Sequence, residues 1–174
     1  MKKRSVKIVF ILIIFLILMQ IKTMAIPQSE EMISNSPDTN HGNKWRIGYC
    51  ESEPFFNYTG SLHGLVLGLN ESGWISVDLE KMPYEVGQED SLIMWNWLAS
   101  QDTGEYIEFV QDAYYSLYYP DHEEAIQKRL AETKDIDLVI AMGTYAGQLL
   151  ANDDHETPIM VFSASNAVSS NIIA

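Results

Sequence analysis

The sequence predicts an α/β fold, a doubly wound parallel sheet with helices on both faces in three layers (α/β/α). Three observations predict it. Leu138–Met142 (LVIAM) and Ile159–Phe162 (IMVF) are short, unbroken apolar runs, as expected of strands buried on both faces of a parallel sheet. The first run ends in Gly143-Thr144, which stops the strand and opens a helix carrying Tyr145, Ala146, Leu149, Leu150 and Ala151. Strand-like and helix-like segments alternate along the rest of the chain, the order that produces βαβ units.

The elements follow from local pattern. Lys44–Cys50 (KWRIGYC) reads as the first strand, and Pro54 in the loop Glu51–Phe56 argues against its continuing. From Asn57 to Gly73, Leu62, Leu65, Val66 and Leu69 fall on one helical face, and Gly73 supplies a C-terminal stop. Gly60, Gly64 and Gly68 recur every fourth residue there, and the expectation is that they let this helix approach the strands closely. Trp74–Leu79 reads as a short extension leading into a loop around Pro83 and Gly87. Asp90–Ser100 is helical, with Leu92, Ile93, Trp95 and Leu98 as its apolar contacts and Asp90 or Ser91 at its start. Tyr106–Gln111 alternates and is the second strand. Pro120-Asp121 opens a helix to Thr133 with acids early and bases late, an apolar face of Ala125, Ile126 and Leu130, and His122 facing solvent.

The N-terminus reads as a targeting segment. Lys2, Lys3, Arg4 and Lys7 precede the apolar run Ile8–Met19, and Thr23-Met24-Ala25 places small residues where a signal peptidase reads. The run is short for a membrane span, which needs about 20 apolar residues. Residues 1–25 are therefore assigned as a signal peptide, residues 26–43 as a flexible polar leader with Pro27, Pro37 and Gly42, and residues 44–174 as the folded domain. This makes the protein exported, periplasmic or extracellular, with retention of the segment as a membrane anchor the alternative.

Charge excludes one class of partner. The chain of 174 residues has a net charge of −13, and residues 1–25 carry five of its 11 bases and none of its 24 acids. A folded part so negative repels phosphate backbones, so no nucleic acid partner is expected. Cys50 is the single cysteine, which rules out an internal disulfide and reads as a buried thiol at a strand end. Asn57-Tyr58-Thr59 and Asn70-Glu71-Ser72 match the glycosylation acceptor pattern, which matters only in a eukaryotic secretory pathway.

Signs of bond-making chemistry are few. There is no phosphate-binding glycine loop and no His/Cys/Asp/Glu group with metal-ligand spacing, so no cofactor and no metal are expected. Asp153-Asp154-His155-Glu156 reads as a solvated turn. No nucleophile elbow surrounds Ser163 or Ser165, and Glu51 with Glu53 is a carboxylate pair without a partner group. What the pattern offers is a polar rim at the carboxyl ends of the strands: Gly143, Thr144 and Tyr145 after one strand and Ser163-Ala164-Ser165 after the next. That equipment suits binding better than catalysis, and the protein is expected not to be an enzyme.

Four segments, Arg46-Ile47-Gly48-Tyr49, His63-Gly64-Leu65 through Asn70-Glu71-Ser72-Gly73-Trp74, Asp137–Thr144 and Thr157–Ser163, resemble the extracytoplasmic solute-binding proteins of ABC transporters. The likeness is to the tryptophan/tyrosine-binding-like group, with the type I periplasmic binding fold, and it spans Lys44 to the end. The resemblance implies a small organic solute, such as an amino acid, held in a cleft between two lobes, and a membrane permease as partner. It implies that Glu51, Ser52, Phe55 and Phe56, then Gly143, Thr144 and Tyr145, then Ser163, Ser165 and Asn166 form one wall of that cleft. Such proteins carry a second lobe, so residues 44–174 are expected to be a truncated first lobe. The alternatives are a ligand-sensing ectodomain of an anchored receptor and a small hydrolase using Ser163 or Glu51.

Overall fold

Residues 36–172 are described by a computed structural model, and four parallel strands run through them. The predicted signal peptide and the first part of the predicted leader lie outside the described residues. The described part of the leader is held in place, with Asn40 bridged to Asn43 and the Trp45 indole N–H donating to the Asp38 carbonyl at 3.0 Å.

In chain order the elements are β1 (Trp45–Glu51), α1 (Phe56–Glu71), a 3-10 turn (Leu79–Lys81), α2 (Ser91–Ala99), β2 (Ile107–Ser116), α3 (Pro120–Lys128), β3 (Leu138–Met142), α4 (Thr144–Leu150) and β4 (Ile159–Phe162). The sheet order is β2-β1-β3-β4, all pairs parallel. The chain leaves β1 in one direction to make β2 and returns to its other side to make β3. The carboxyl ends of β1 and β3 therefore flank the switch point, where open α/β sheets form their ligand crevice.

Two cores lie on the two faces. Ile47, Tyr49, Ile140 and Met142 point to one face, where α1 contributes Tyr58, Leu62 and Val66 and α2 contributes Met94, Trp95 and Leu98. Cys50, Val139 and Ala141 point to the other, against Ile126 and Leu130 from α3 and its extension and Ala146 and Leu150 from α4. Strand alternation divides the residues in this way, and the parallel sheet with helices on both sides is the predicted architecture. Trp95 is the largest fully buried side chain; it packs edge-on against Phe109 at 5.6 Å and leans on Tyr49 at 5.5 Å. Its indole N–H donates to the Val110 carbonyl at 3.2 Å, which satisfies the one polar atom it carries inside.

Four expectations are corrected. β2 runs on to Ser116 beyond the predicted end at Gln111, because an irregularity lets it: Ile47 pairs with Phe109 but Tyr49 with Tyr114, five residues of β2 against two of β1. The odd excess reverses the facing of the strand, so Ala113 and Tyr115 enter the second core while Phe109 lies in the first. Arg129 pins the irregular segment by donating to the Asp112 carbonyl and carboxylate, both at 2.9 Å, while also holding Asp135 at 2.8 Å. Trp74 and Ile75 turn the end of α1 by donating to the Leu69 carbonyl at 2.9 and 3.3 Å, and an irregular stretch leads on to the 3-10 turn.

The glycines of α1 do not face the sheet. Gly64 and Gly68 stand two residues on from the buried Leu62 and Val66, about 200° round the helix axis, and both are exposed. His122 is half-buried rather than solvent-facing: its Nδ1 accepts from the Ser116 N–H at 2.9 Å and its ring lies between Tyr115 and Tyr119. The last turn of the predicted Asp121–Thr133 helix widens to π geometry at Arg129–Thr133 and ends on Lys134 in the left-handed region (φ 52°). Among the described residues no helix is long and apolar enough to cross a membrane.

Candidate functional site

The rim is assembled by backbone geometry first. β1 and β3 are in register to their ends, Glu51 opposite Met142, so Ser52 and Gly143 leave the sheet side by side. Ser52 is the bridge between them. Its N–H donates to the Met142 carbonyl at 2.9 Å, its hydroxyl donates to the same carbonyl at 3.1 Å, and that hydroxyl accepts from the Ala146 N–H at 3.0 Å. One short side chain thereby ties the end of β1 to the end of β3 and the first turn of α4.

Gly143 is required for two reasons. Its φ of 93° lies in the region that disfavours a side chain, and a Cβ there would sit 2.6 Å from the Ser52 hydroxyl and against the Tyr58 hydroxyl. Its N–H donates to the Phe162 carbonyl at 2.8 Å, which brings the end of β4 into the same row. The loop after β4 is then held by hydroxyls: the Thr144 Oγ1 accepts from the Ser165 N–H at 3.1 Å, and the Ser163 and Ser61 hydroxyls lie 3.1 Å apart. Ser163 itself has a φ of 56°, the strained conformation expected where a loop is over-determined by its contacts.

Ser52, Gly143, Thr144, Ser163 and Ser165 are thus joined into one hydrogen-bonded rim. Tyr145 stands beside it, 47% exposed, its hydroxyl donating to the Glu123 carboxylate of α3 at 2.6 Å, a contact that raises the phenol's pKa. Phe55 and Phe56 pack against each other at 4.7 Å at the start of α1; Phe55 also meets Tyr58 edge-on, and Phe56 is 46% exposed. Asn166 is exposed and caps the next turn, accepting from the Ser169 N–H at 2.9 Å. Glu51 is placed differently from the rest: its side chain is fully buried beneath the rim.

The Glu51 carboxylate receives three hydroxyl groups. Tyr114 donates at 2.7 Å, Tyr49 at 3.0 Å and Ser91 through a short contact. Burial pushes this carboxyl above its ordinary range, and the hydroxyl bonds pull it part of the way back. Cys50 is also fully buried, and burial raises its thiol well above the ordinary value. Among the described residues, no group of three His, Cys, Asp or Glu side chains is placed to hold a metal ion.

Sequence reading passed over Tyr58, Ser61 and Glu123, which approach the rim from α1 and α3. The signal for the first two was topological: a helix that follows a strand starts at that strand's carboxyl edge, so its first turn belongs to the rim. Four concavities among the described residues lie away from it, two of them beside Asn40 and Asp137. One of about 660 Å³ runs along the loop Met82–Gln88 beside Ile93. Another, about 340 Å³, is apolar and sits at the amino half of the sheet between Trp45, Ile107, Leu138 and Met160 on the strands and Leu69 and Trp74 at the end of α1.

No protein-family model, no curated protein and no solved structure matches this chain.

Proposed function

We propose that residues 44–174 form the first lobe of an exported, non-enzymatic solute-binding protein of an ABC uptake system, with the carboxyl rim as one wall of the cleft for a small organic solute. The observation that carries this reading is the Ser52 bridge. It brings the loops after β1 and β3 together at the switch point of the sheet, with the loop after β4 attached through Gly143 and Thr144. Hydroxyls and exposed backbone recognise polar groups of a ligand, and Phe56 and Tyr145 offer ring faces beside them. The titratable carboxyl at this edge nearest the bridge, Glu51, is turned inward, which favours recognition over proton transfer.

The test is solute titration of the full chain followed by amide NMR, using amino acids as the first panel. The expected result is weak binding, since one wall encloses little of a ligand, with shifts confined to residues 52–56, 143–146 and 163–166. Shifts centred on the Trp45–Trp74 groove instead, or turnover of ester or phosphate substrates abolished by Ser163→Ala, would overturn the reading.

A further inference from the structure

The least expected feature of this fold is a fully buried carboxyl with no cation paired to it among the described residues. Glu51 is 0% exposed, and among the described residues no ion pair reaches it: Lys44, Arg46, Lys81, Arg129 and Lys134 are each paired with other acids. Its surroundings are hydroxyls from three directions, Tyr49 on β1, Ser91 at the start of α2 and Tyr114 on β2. Ser116, opposite Glu51 in the β1–β2 register, adds a fourth buried hydroxyl to these surroundings. The first three donate to the carboxylate, and because a hydroxyl also accepts, one of them can turn to take the proton of the neutral acid.

The other groups facing this corner do not offset a negative charge. The Tyr58 phenol of α1 comes near on the same face and the Cys50 thiol of β1 from behind the sheet; the acids of the region stand one group further off, Glu53 by Tyr58, Asp90 by Tyr114 and Glu123 by Cys50. His122 reaches the Ser116 backbone N–H through an unprotonated Nδ1. A negative charge at Glu51 is therefore buried without a countercharge among the described residues, and burial favours the neutral acid against the pull of the hydroxyl bonds.

We propose that Glu51 is a protonation latch beneath the rim: neutral, it clamps β1, β2 and α2 together; ionised, it loosens the corner that carries Ser52 and the loop after β2. The link to the rim is covalent and direct. Ser52 is the next residue, and the Glu51 carbonyl accepts from the Leu117 N–H at 2.8 Å, which fixes the loop that follows β2. The latch stands whether or not the rim binds a solute.

The sign follows from linkage. Glu51 holds its proton more tightly folded than unfolded, where the ordinary value is 4.5, so its contribution is complete below pH 4.5 and is lost as pH rises through the higher folded value. Urea denaturation of the full chain and of Glu51→Gln across pH tests this by difference, which cancels what is common to both. The expected result is that the folding equilibrium of the wild type falls relative to the variant by up to about tenfold per pH unit above the unfolded value, then levels off. Parallel curves overturn the proposal. Carboxyl carbon NMR of Glu51 in the wild-type chain keeps the test alive if the variant does not fold. A midpoint above the ordinary glutamate range, tracked by the amides of Ser52, Ala146 and Leu117, supports the latch; an ordinary or lower midpoint, or unmoved amides, refutes it.

Discussion

Replacing Gly64 and Gly68 by alanine should stabilise the protein, and the size of the gain follows from where they sit. Both lie inside the 16-residue helix α1, both are exposed, and a Cβ at either position meets nothing within 4 Å. Glycine in a helix interior costs about 1 kcal/mol relative to alanine, so each substitution should add about that much and the pair about 2 kcal/mol. For a folded unit of this size the pair should raise the melting temperature by roughly 4–10 °C. Urea denaturation followed by circular dichroism measures the first quantity and a thermal scan the second. Gly143→Ala is the internal contrast, with opposite sign. Its φ of 93° and the proximity of the Ser52 and Tyr58 hydroxyls leave no room for a methyl group. The expected loss there is about 2 kcal/mol or more. If Gly64→Ala and Gly68→Ala instead lower stability, that face of α1 is covered in the protein, and the placement of the helix given above is wrong.

Two further outcomes follow from the same geometry. Ser52→Ala removes the bridge and leaves the Ala146 N–H without its acceptor, which should cost about 1–3 kcal/mol in urea denaturation and speed hydrogen exchange at Ala146 more than at core amides such as Val139. An unchanged exchange rate at Ala146 would mean that α4 is held by its other contacts alone. Asp137 receives the Arg46 guanidinium at 2.9 and 3.0 Å and the Arg46 backbone N–H at 2.8 Å, and that guanidinium holds its carboxyl below the ordinary 3.8. Its folded value is depressed, so its stabilisation is present above pH 3.8 and lost as pH falls further. With the Arg46 side chain 39% exposed the term is small, about 1 kcal/mol after screening. Asp137→Asn should flatten the acid limb of the stability profile by that amount, and a limb of unchanged slope would assign acid unfolding to other groups.

Local pattern was enough for the elements that stand on period and punctuation. The strands at Leu138–Met142 and Ile159–Phe162, the helix starting at Thr144, and the helix capped by Asp90 were legible because each is bounded by a residue with one plain local use. Gly143 serves as a turn residue, and the Asp90 carboxylate accepts from the Leu92 N–H at 3.0 Å. The outward facing of Gly64 and Gly68 was misread from their own spacing, although their offset from Leu62 and Val66 settles it by helical period. What could not be read locally depends on residues far apart in the chain. β2 continues past Gln111 because Arg129 grips Asp112 from another element. His122 is half-buried because Tyr115 and Tyr119 fold over it.

The same division runs through the candidate site. Composition and spacing by themselves determined a parallel α/β domain with polar loops at the ends of its strands, because burial on two faces and the exit of each chain segment at the carboxyl edge are local consequences of the apolar runs. Only the tertiary structure decided which of those loop residues face outward. Glu51 ends β1 and Ser52 follows it, and the one is turned into a closed hydroxyl cage while the other joins the rim. Which side is open depends on where α2 and β2 pack, and that is a property of the assembled sheet, not of the two residues.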